Sequence, residues 1–230
     1  MISDRKKFLL ITLIKDYIKT AQPVSSGALV KRYKLDISPA TVRNELAELE
    51  EDGYIYQPHT SAGRVPTELA YSLLAQSLSK NDKVRSLRHD EQSALNKVFD
   101  YTEPAFKKTA KLIADLSSNA VFWAFHKNNL YYTGLANLFS QPEFKQLNVI
   151  YDVSEVIDRL EDIIDNSFEK ITMGCQILIG QKNPFGDFLS VVLTKYKNKN
   201  QSAIFGILGP LRMNYAKNLA LVEFINDKFN

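Results

Sequence analysis

The feature that most constrains the fold is a short predicted helix between residues 38 and 53 whose two halves differ in charge. Ser38 and Pro39 mark its start, because a serine hydroxyl accepts hydrogen bonds from free backbone N–H groups and proline fits the first helical turn. Val42, Leu46 and Leu49 follow at spacings of four and three residues, which predicts one buried face. Acidic side chains fill only the second half, at Glu45, Glu48, Glu50, Glu51 and Asp52.

The segments around this helix predict a small domain in residues 1–80. One apolar stripe predicts a helix from about Asp4 to Thr20, and it consists of Leu10, Ile11, Ile14, Tyr17 and Ile18. A shorter helix follows, capped by Ser25 or Ser26. Residues 54–57 are predicted as a strand and residues 58–66 as a turn that returns along it. Three helices followed by a β-ribbon predict a winged helix-turn-helix domain.

The remainder has an α+β pattern, beyond a polar boundary at residues 79–85. We expect a helical linker region at 81–118, with helices near 89–101 and 103–116, and an α+β domain at 119–230. Strands are predicted at 121–125, 130–133, 147–151, 171–179, 188–195 and 203–208. Helices are predicted at 153–165 and 214–228, and residues 206–210 are predicted as a strand-ending turn.

Composition argues against several classes of function. Cys175 is the only cysteine, so an internal disulfide and a cysteine-rich zinc site are excluded, and the three histidines lie in unrelated contexts. The sequence has no nucleotide-binding fingerprint and no apolar segment of membrane-spanning length. We therefore expect a cytoplasmic protein that is not an enzyme and uses no cofactor or metal.

The charge distribution is uneven, although the net charge is only +3. Residues 1–44 contain nine Lys/Arg and three Asp/Glu, whereas residues 45–70 contain one basic residue and six acidic ones. A local basic region is typical of nucleic-acid binding, yet on charge alone a solvated helix surface is the simpler interpretation.

The buried face of the 38–53 helix determines what the opposite face presents. A helical step of about 100° per residue turns Ala40 and Asn44 outward, with Thr41 and Arg43 on the flanks. Asparagine pairs with adenine, arginine reaches guanine or phosphate, and alanine permits close approach to a groove. The predicted DNA-contacting residues are Ser38, Ala40, Thr41, Arg43 and Asn44 on the helix and His59, Thr60, Ser61 and Arg64 on the ribbon turn.

Several stretches resemble the HrcA-type heat-inducible transcription repressors. In the first part of the chain they are residues 22–26, 38–45, 53–55 and 57–67, of which the last is long and unusual enough to be nearly diagnostic. Asn137–Phe144 and Gly209–Tyr215 resemble the family's C-terminal GAF-like domain.

The resemblance implies a repressor that binds an inverted-repeat operator of the CIRCE type, upstream of chaperone genes, as a homodimer and is released on heat shock. It also implies the chaperonin GroEL as a partner. The chain is shorter than usual members of the family. Residues 125–131 lead almost directly to Asn137, where usual members have a longer segment. We therefore expect the family's inserted dimerisation domain to be reduced or absent.

Other functions remain open at this point. A winged helix joined to an α+β domain also fits a regulator that senses a small molecule and controls other genes. Winged helices can also bind only protein, and RNA binding is a further alternative.

Overall fold

A computed structural model describes residues 2–79, 87–126, 129–145, 147–180, 183–198 and 201–229. The chain divides into two compact units, Met1–Lys80 and Asn81–Asn230. Apart from Ser79, the boundary expected at residues 79–85 lies outside the described residues. Within the described ranges no helix combines the length and the apolar character needed to cross a bilayer, and no group of three side chains is placed to hold a metal ion.

The first unit has the order of elements that the sequence predicts. Its elements are α1 (Asp4–Thr20), α2 (Ser26–Tyr33), α3 (Pro39–Glu51), β1 (Ile55–Tyr56), β2 (Val65–Pro66) and α4 (Glu68–Ser79). The two strands pair antiparallel and form, with the turn between them, the ribbon (residues 55–66). Ser25 and Ser38 cap α2 and α3, since their side chains accept from the backbone N–H groups of the first turns.

The core of this unit lies where the three helices meet. Leu10, Leu29, Val42 and Leu49 are fully or almost fully buried there. The buried face of α1 also includes Leu9 and Leu13, which the predicted apolar stripe left out. Asp16 of α1 is buried as well, and it accepts hydrogen bonds from Arg32 and Tyr33. These contacts fix α2 against α1.

The second unit is built on a five-stranded sheet. Its elements are α5 (His89–Val98), α6 (Glu103–Ser117), β3 (Ala120–His126), β4 (Asn129–Thr133), α7 (Leu135–Phe139), a 3₁₀ turn (Pro142–Lys145), α8 (Leu147–Asp158), α9 (Leu160–Ser167), β5 (Gly174–Ile179), β6 (Leu189–Asn198), β7 (Gln201–Pro210) and α10 (Tyr215–Phe229). The strand order is β4-β3-β7-β6-β5. All neighbouring strands are antiparallel, so the unit is α+β.

Helices cover both faces of this sheet. On one face, Phe122 packs in a buried cluster with residues of α7, α8 and α9, including Leu138, Val153 and Ile164. On the other face, Trp123 lies against Phe106 of α6, with ring centroids 4.9 Å apart. Alternate residues of β3 thus point into two separate apolar layers, as the pleat of a strand requires.

The described part of the expected linker, residues 87–118, belongs to the second unit. In α6, Ala105, Phe106, Ala110 and Ile113 are buried. In α5, the carboxylate of Glu91 is only 4% exposed and pairs with Arg88 and, at 2.9 Å, with Lys217 of α10. These helices therefore form part of the packed layer over the sheet.

Two local predictions are wrong. The strand expected at 147–151 is the start of α8. Its β-branched residues follow a helical spacing, so that Val149, Val153 and Val156 reach the core cluster together. The strand predicted at 203–208 is confirmed, but it ends later than the turn expected at 206–210 would allow, since β7 continues to Pro210.

The two family-like stretches of the second unit contact each other. Arg212 donates from Nε to Glu143, and its Nη2 lies 3.1 Å from both Glu143 Oε2 and Gln141 Oε1. The hydroxyl of Tyr215 donates to the carbonyl of Leu211 at 2.7 Å. These residues therefore hold the end of β7 against the 3₁₀ turn.

A glycine at position 206 is required by the packing of Phe122. A Cβ atom at this position would lie 2.3 Å from Cζ of the Phe122 ring. Gly206→Ala should therefore lower the free energy of unfolding of the second unit by about 1–3 kcal/mol through overpacking. Urea denaturation measures the loss, and the double variant Gly206→Ala/Phe122→Leu should recover part of it. A single variant as stable as the wild type would contradict this packing.

The pair between Glu91 and its cations predicts a dependence of stability on pH. Burial of the carboxyl opposes ionisation, but hydrogen bonds from Lys217 and Arg88 outweigh it and lower the pKa of Glu91 to about 2. Because the folded-state pKa lies below the unfolded one, the stabilisation is present above about pH 5 and is lost as the pH falls toward 2. It amounts to about 3 kcal/mol at most.

Glu91→Gln should remove the stabilisation that the ionised carboxylate provides. The unfolding free energy of the variant should therefore fall less steeply between pH 5 and pH 3 than that of the wild type. Chemical denaturation at a series of pH values makes the comparison. Glu169→Gln, which removes an exposed carboxylate of the same unit, is the control. Parallel curves for Glu91→Gln and the wild type would show that the carboxylate is not held in its ionised form.

Candidate nucleic-acid interface

The first two turns of α3 present an exposed polar surface. Ser38 Oγ accepts from the backbone N–H of Thr41 at 3.1 Å and lies 2.9 Å from Thr41 Oγ1. Ala40, Arg43 and Asn44 are exposed, whereas Thr41 is half-buried. The side chains that the helical spacing turns outward are therefore accessible in the structure.

Acidic side chains in the second half of α3 are paired with cations of α1. Glu45 is buried and accepts from Arg5, and Glu48 pairs with Lys6. The hydrogen bond to Glu48 raises the pKa of Lys6, so this ammonium group stays charged at neutral pH. The paired cations reduce the repulsion that these carboxylates would exert on a polyanion.

Glu50 attaches the ribbon to the end of α3. Its Oε1 accepts from the backbone N–H of Gln57 at 2.8 Å, and its Oε2 lies 2.8 Å from Arg64 Nε in an ion pair without a well-aligned hydrogen bond. The amide group of Gln57 donates to the carbonyls of Thr60 and Ala62 at 2.9 and 2.8 Å. Two polar side chains thus fix the turn relative to the helix.

The ribbon also joins the segment before α2. Val24 and Arg64 exchange two backbone hydrogen bonds, of 2.9 and 2.8 Å, in an antiparallel bridge. Gly63 permits this approach, because a Cβ there would lie 2.4 Å from the carbonyl carbon of Val24. The turn is therefore held from two sides, by α3 and by the start of α2.

A cleft of about 510 Å³ lies between α2, α3 and the ribbon turn. Its polar lining consists of Ser25, Ser26, Arg43, Gln57, Thr60, Ser61 and Arg64. Four predicted site residues, Arg43, Thr60, Ser61 and Arg64, therefore meet at one place. Ser38, Ala40, Thr41, Asn44 and His59 do not line this cleft.

Arg64 differs from the expectation of a freely extended cation. Its side chain is only 16% exposed, because the contact with Glu50 holds it along the ribbon. His59, Thr60 and Ser61, in contrast, are exposed at the turn.

Sequence reasoning missed the residues that position this surface. The sequence shows Glu50 only as one of several acids in its helix, Gln57 as part of a predicted strand and of the 57–67 stretch, and Ser25 and Ser26 as candidate helix caps. The contact of Glu50 with Arg64 joins residues fourteen positions apart, and no local periodicity reports such a contact. The one available signal was the unusual length of the 57–67 stretch.

Comparison with known proteins places both parts of the chain in one group. Residues 66–219 match a family model described as the HrcA protein C-terminal domain. A heat-inducible transcription repressor HrcA from Carboxydothermus hydrogenoformans is 26% identical over 333 residues, covering 98% of this chain and 96% of its own length. The repressor of the same name from Geobacter sulfurreducens is 28% identical over 329 residues, covering 97% and 96%. Since this chain has 230 residues, both relatives contain a long internal stretch that it lacks.

A solved structure described as that of a hypothetical protein at 2.2 Å resolution has the same overall fold. Its TM-score is 0.82 at 17% identity, and the match covers 100% of this chain and 98% of that one. At such low identity the likeness supports the fold alone.

The close approach at Gly63 generates a test of the interface geometry. Gly63→Ala should break the bridge between Val24 and Arg64 and lower the free energy of unfolding by about 1–3 kcal/mol, because the added methyl group meets backbone atoms that cannot move aside. Amide hydrogen exchange should accelerate at Val24 and Arg64. Ser61→Ala, at an exposed position in the same turn, serves as the control and should leave both unchanged. Slow exchange at both amides in Gly63→Ala would contradict the assigned contact.

Proposed function

The chain belongs to the HrcA family, and we propose that it is a cytoplasmic transcription repressor whose residues 1–80 form a winged-helix domain that binds duplex DNA. One observation carries the proposal. Glu50 connects the ribbon turn to α3, so the exposed turns of the helix and the ribbon turn form one continuous surface. The name that the relatives bear, heat-inducible transcription repressor, supports the same assignment.

In this proposal, the first two turns of α3 enter the major groove. Asn44 and Arg43 read base edges, and Ala40 allows close approach. Ser38, Thr41 and the turn residues His59, Thr60 and Ser61 contact the sugar–phosphate backbone. Arg64 contributes a positive charge beside the backbone and not a base contact, because its pairing with Glu50 restricts its reach.

We further propose that a homodimer binds an inverted repeat of the CIRCE type upstream of chaperone genes and leaves it on heat shock, with GroEL as a partner. One winged helix offers little base-reading surface, so two copies are needed for a specific site. Their α3 helices should lie about 34–36 Å apart, or a multiple of that distance, on one face of the DNA.

For the second unit we propose a GAF-like domain that serves regulation without a small-molecule effector. The space between its sheet and α7–α9 is filled by buried aromatic rings, among them Phe122, Phe144 and Phe185. Phe122 and Phe185 lie in contact, with ring centroids 5.5 Å apart. A thermal-shift screen against metabolites tests this point, because a bound ligand would raise the melting temperature.

Substitutions on α3 should separate base reading from backbone contact. Arg43→Ala and Asn44→Ala should each weaken binding to an inverted-repeat operator by about 1–3 kcal/mol and relax the sequence preference. Arg64→Ala should weaken operator and random duplex alike and flatten the salt dependence. Fluorescence anisotropy at several salt concentrations provides both quantities.

Equal losses on operator and random duplex for all three variants would show that α3 does not read sequence. Preference for structured RNA over the duplex in a competition assay, or binding of the operator by a monomer, would also overturn the proposed function.

A further inference from the structure

Ser26 has a hydroxyl that the fold leaves without a partner. Its side chain is 9% exposed and lines the cleft between α2, α3 and the ribbon turn. Among the described residues no atom forms a hydrogen bond with its Oγ, whereas the hydroxyl of neighbouring Ser25 accepts from the N–H of Ala28. A buried hydroxyl that opens only into a cleft is suited to bind a ligand there.

The same end of α2 supplies further donors. The backbone N–H groups of Ser26 and Gly27 have no acceptor among the described residues, as expected for the first turn of a helix. The helix dipole adds partial positive charge at this end. Together with the hydroxyl of Ser26, these groups favour an anion.

Opposite α2, the cleft contains two cations and two more hydroxyl groups. Arg43 reaches it from α3, and Thr60, Ser61 and Arg64 reach it from the ribbon turn. Gly63 and Val24 keep that turn in place beside α2. The lining thus offers donors from three elements to an anion in a cleft of about 510 Å³.

We propose that this cleft binds one backbone phosphate of the DNA, with Ser26 Oγ and the first-turn N–H groups of α2 as donors and Arg64 as the counter-charge. The inference rests on the proposed function and adds to it Ser26 and the first turn of α2, which the predicted contact residues do not include. It places one strand of the duplex between α2 and the ribbon turn, and so determines how α3 enters the groove. Ser26 is thus proposed to bind phosphate and not to read bases.

The test combines a protein variant with a change in the DNA. Operator duplexes each carry one neutral methylphosphonate, scanned along both strands, and are titrated with the wild type, with Ser26→Ala and with the control Ser72→Ala, a half-buried serine of α4. We expect one phosphate per half-site whose neutralisation weakens wild-type binding about tenfold, as a hydrogen bond to a charged group does. Ser26→Ala should lose about tenfold on unmodified DNA and should show a smaller further loss at that phosphate than the wild type does, and Ser72→Ala should match the wild type.

Additive losses for Ser26→Ala and every methylphosphonate would overturn the phosphate site while leaving sequence-specific DNA binding intact. Failure of the wild type to bind any duplex would overturn the proposed function and this site together. The DNA substitution needs no change in the protein, so its result is independent of the folding of Ser26→Ala. Thermal denaturation of that variant checks the protein side.

A second measurement separates DNA from free phosphate as the source of the anion. Inorganic phosphate is titrated into the labelled wild type, and the amide signals of Ser26 and Gly27 are followed by NMR. We expect large shifts with operator duplex and small, unsaturated ones with inorganic phosphate. Saturable binding of inorganic phosphate that duplex DNA does not displace would assign the cleft to a free ligand and overturn the inference.

Discussion

The carboxylate of Glu50 connects the two elements that form the proposed interface. One of its oxygens accepts a backbone hydrogen bond from Gln57, and the other faces Arg64 across the ribbon. Because Gln57 in turn holds the carbonyls of Thr60 and Ala62, the position of the turn follows the end of α3. Without this connection, the turn would be held only by its bridge to Val24, and its remaining freedom would have to be lost on binding at an entropic cost.

The acidic residues of α3 have a different role in the structure than the sequence alone suggests. From the sequence, a run of acids at the end of a helix opposes the dipole and repels phosphate. In the structure, Glu45, Glu48 and Glu50 each have a cationic partner, from α1 for the first two and from the ribbon for the third. These acids therefore serve to orient the helix. Two of the basic residues in 1–44, Arg5 and Lys6, are paired with these acids.

Features that depend on neighbouring residues could be predicted from the sequence, whereas features that depend on distant contacts could not. The start of α3 could be predicted, because Ser38, Pro39 and the spacing of Val42 and Leu46 all lie within two turns. The assignment of residues 147–151 to a strand failed, because their β-branched side chains favour a strand locally, whereas packing of Val153 and Val156 against the sheet favours a helix. The contacts of Glu50 and the position of Ser26 in the cleft could not be predicted at all, since they depend on how distant segments meet.

The hairpin of β3 and β4 has a consequence for how such chains vary in length. The two strands remain paired as far as His126 and Asn129, and paired strands lie about 5 Å apart. Two anchor points this near to each other accept either a tight connection or an entire folded module, since neither alternative disturbs the register of the sheet. The connection between β3 and β4 is therefore a place where the chain can change in length while the sheet keeps its five strands.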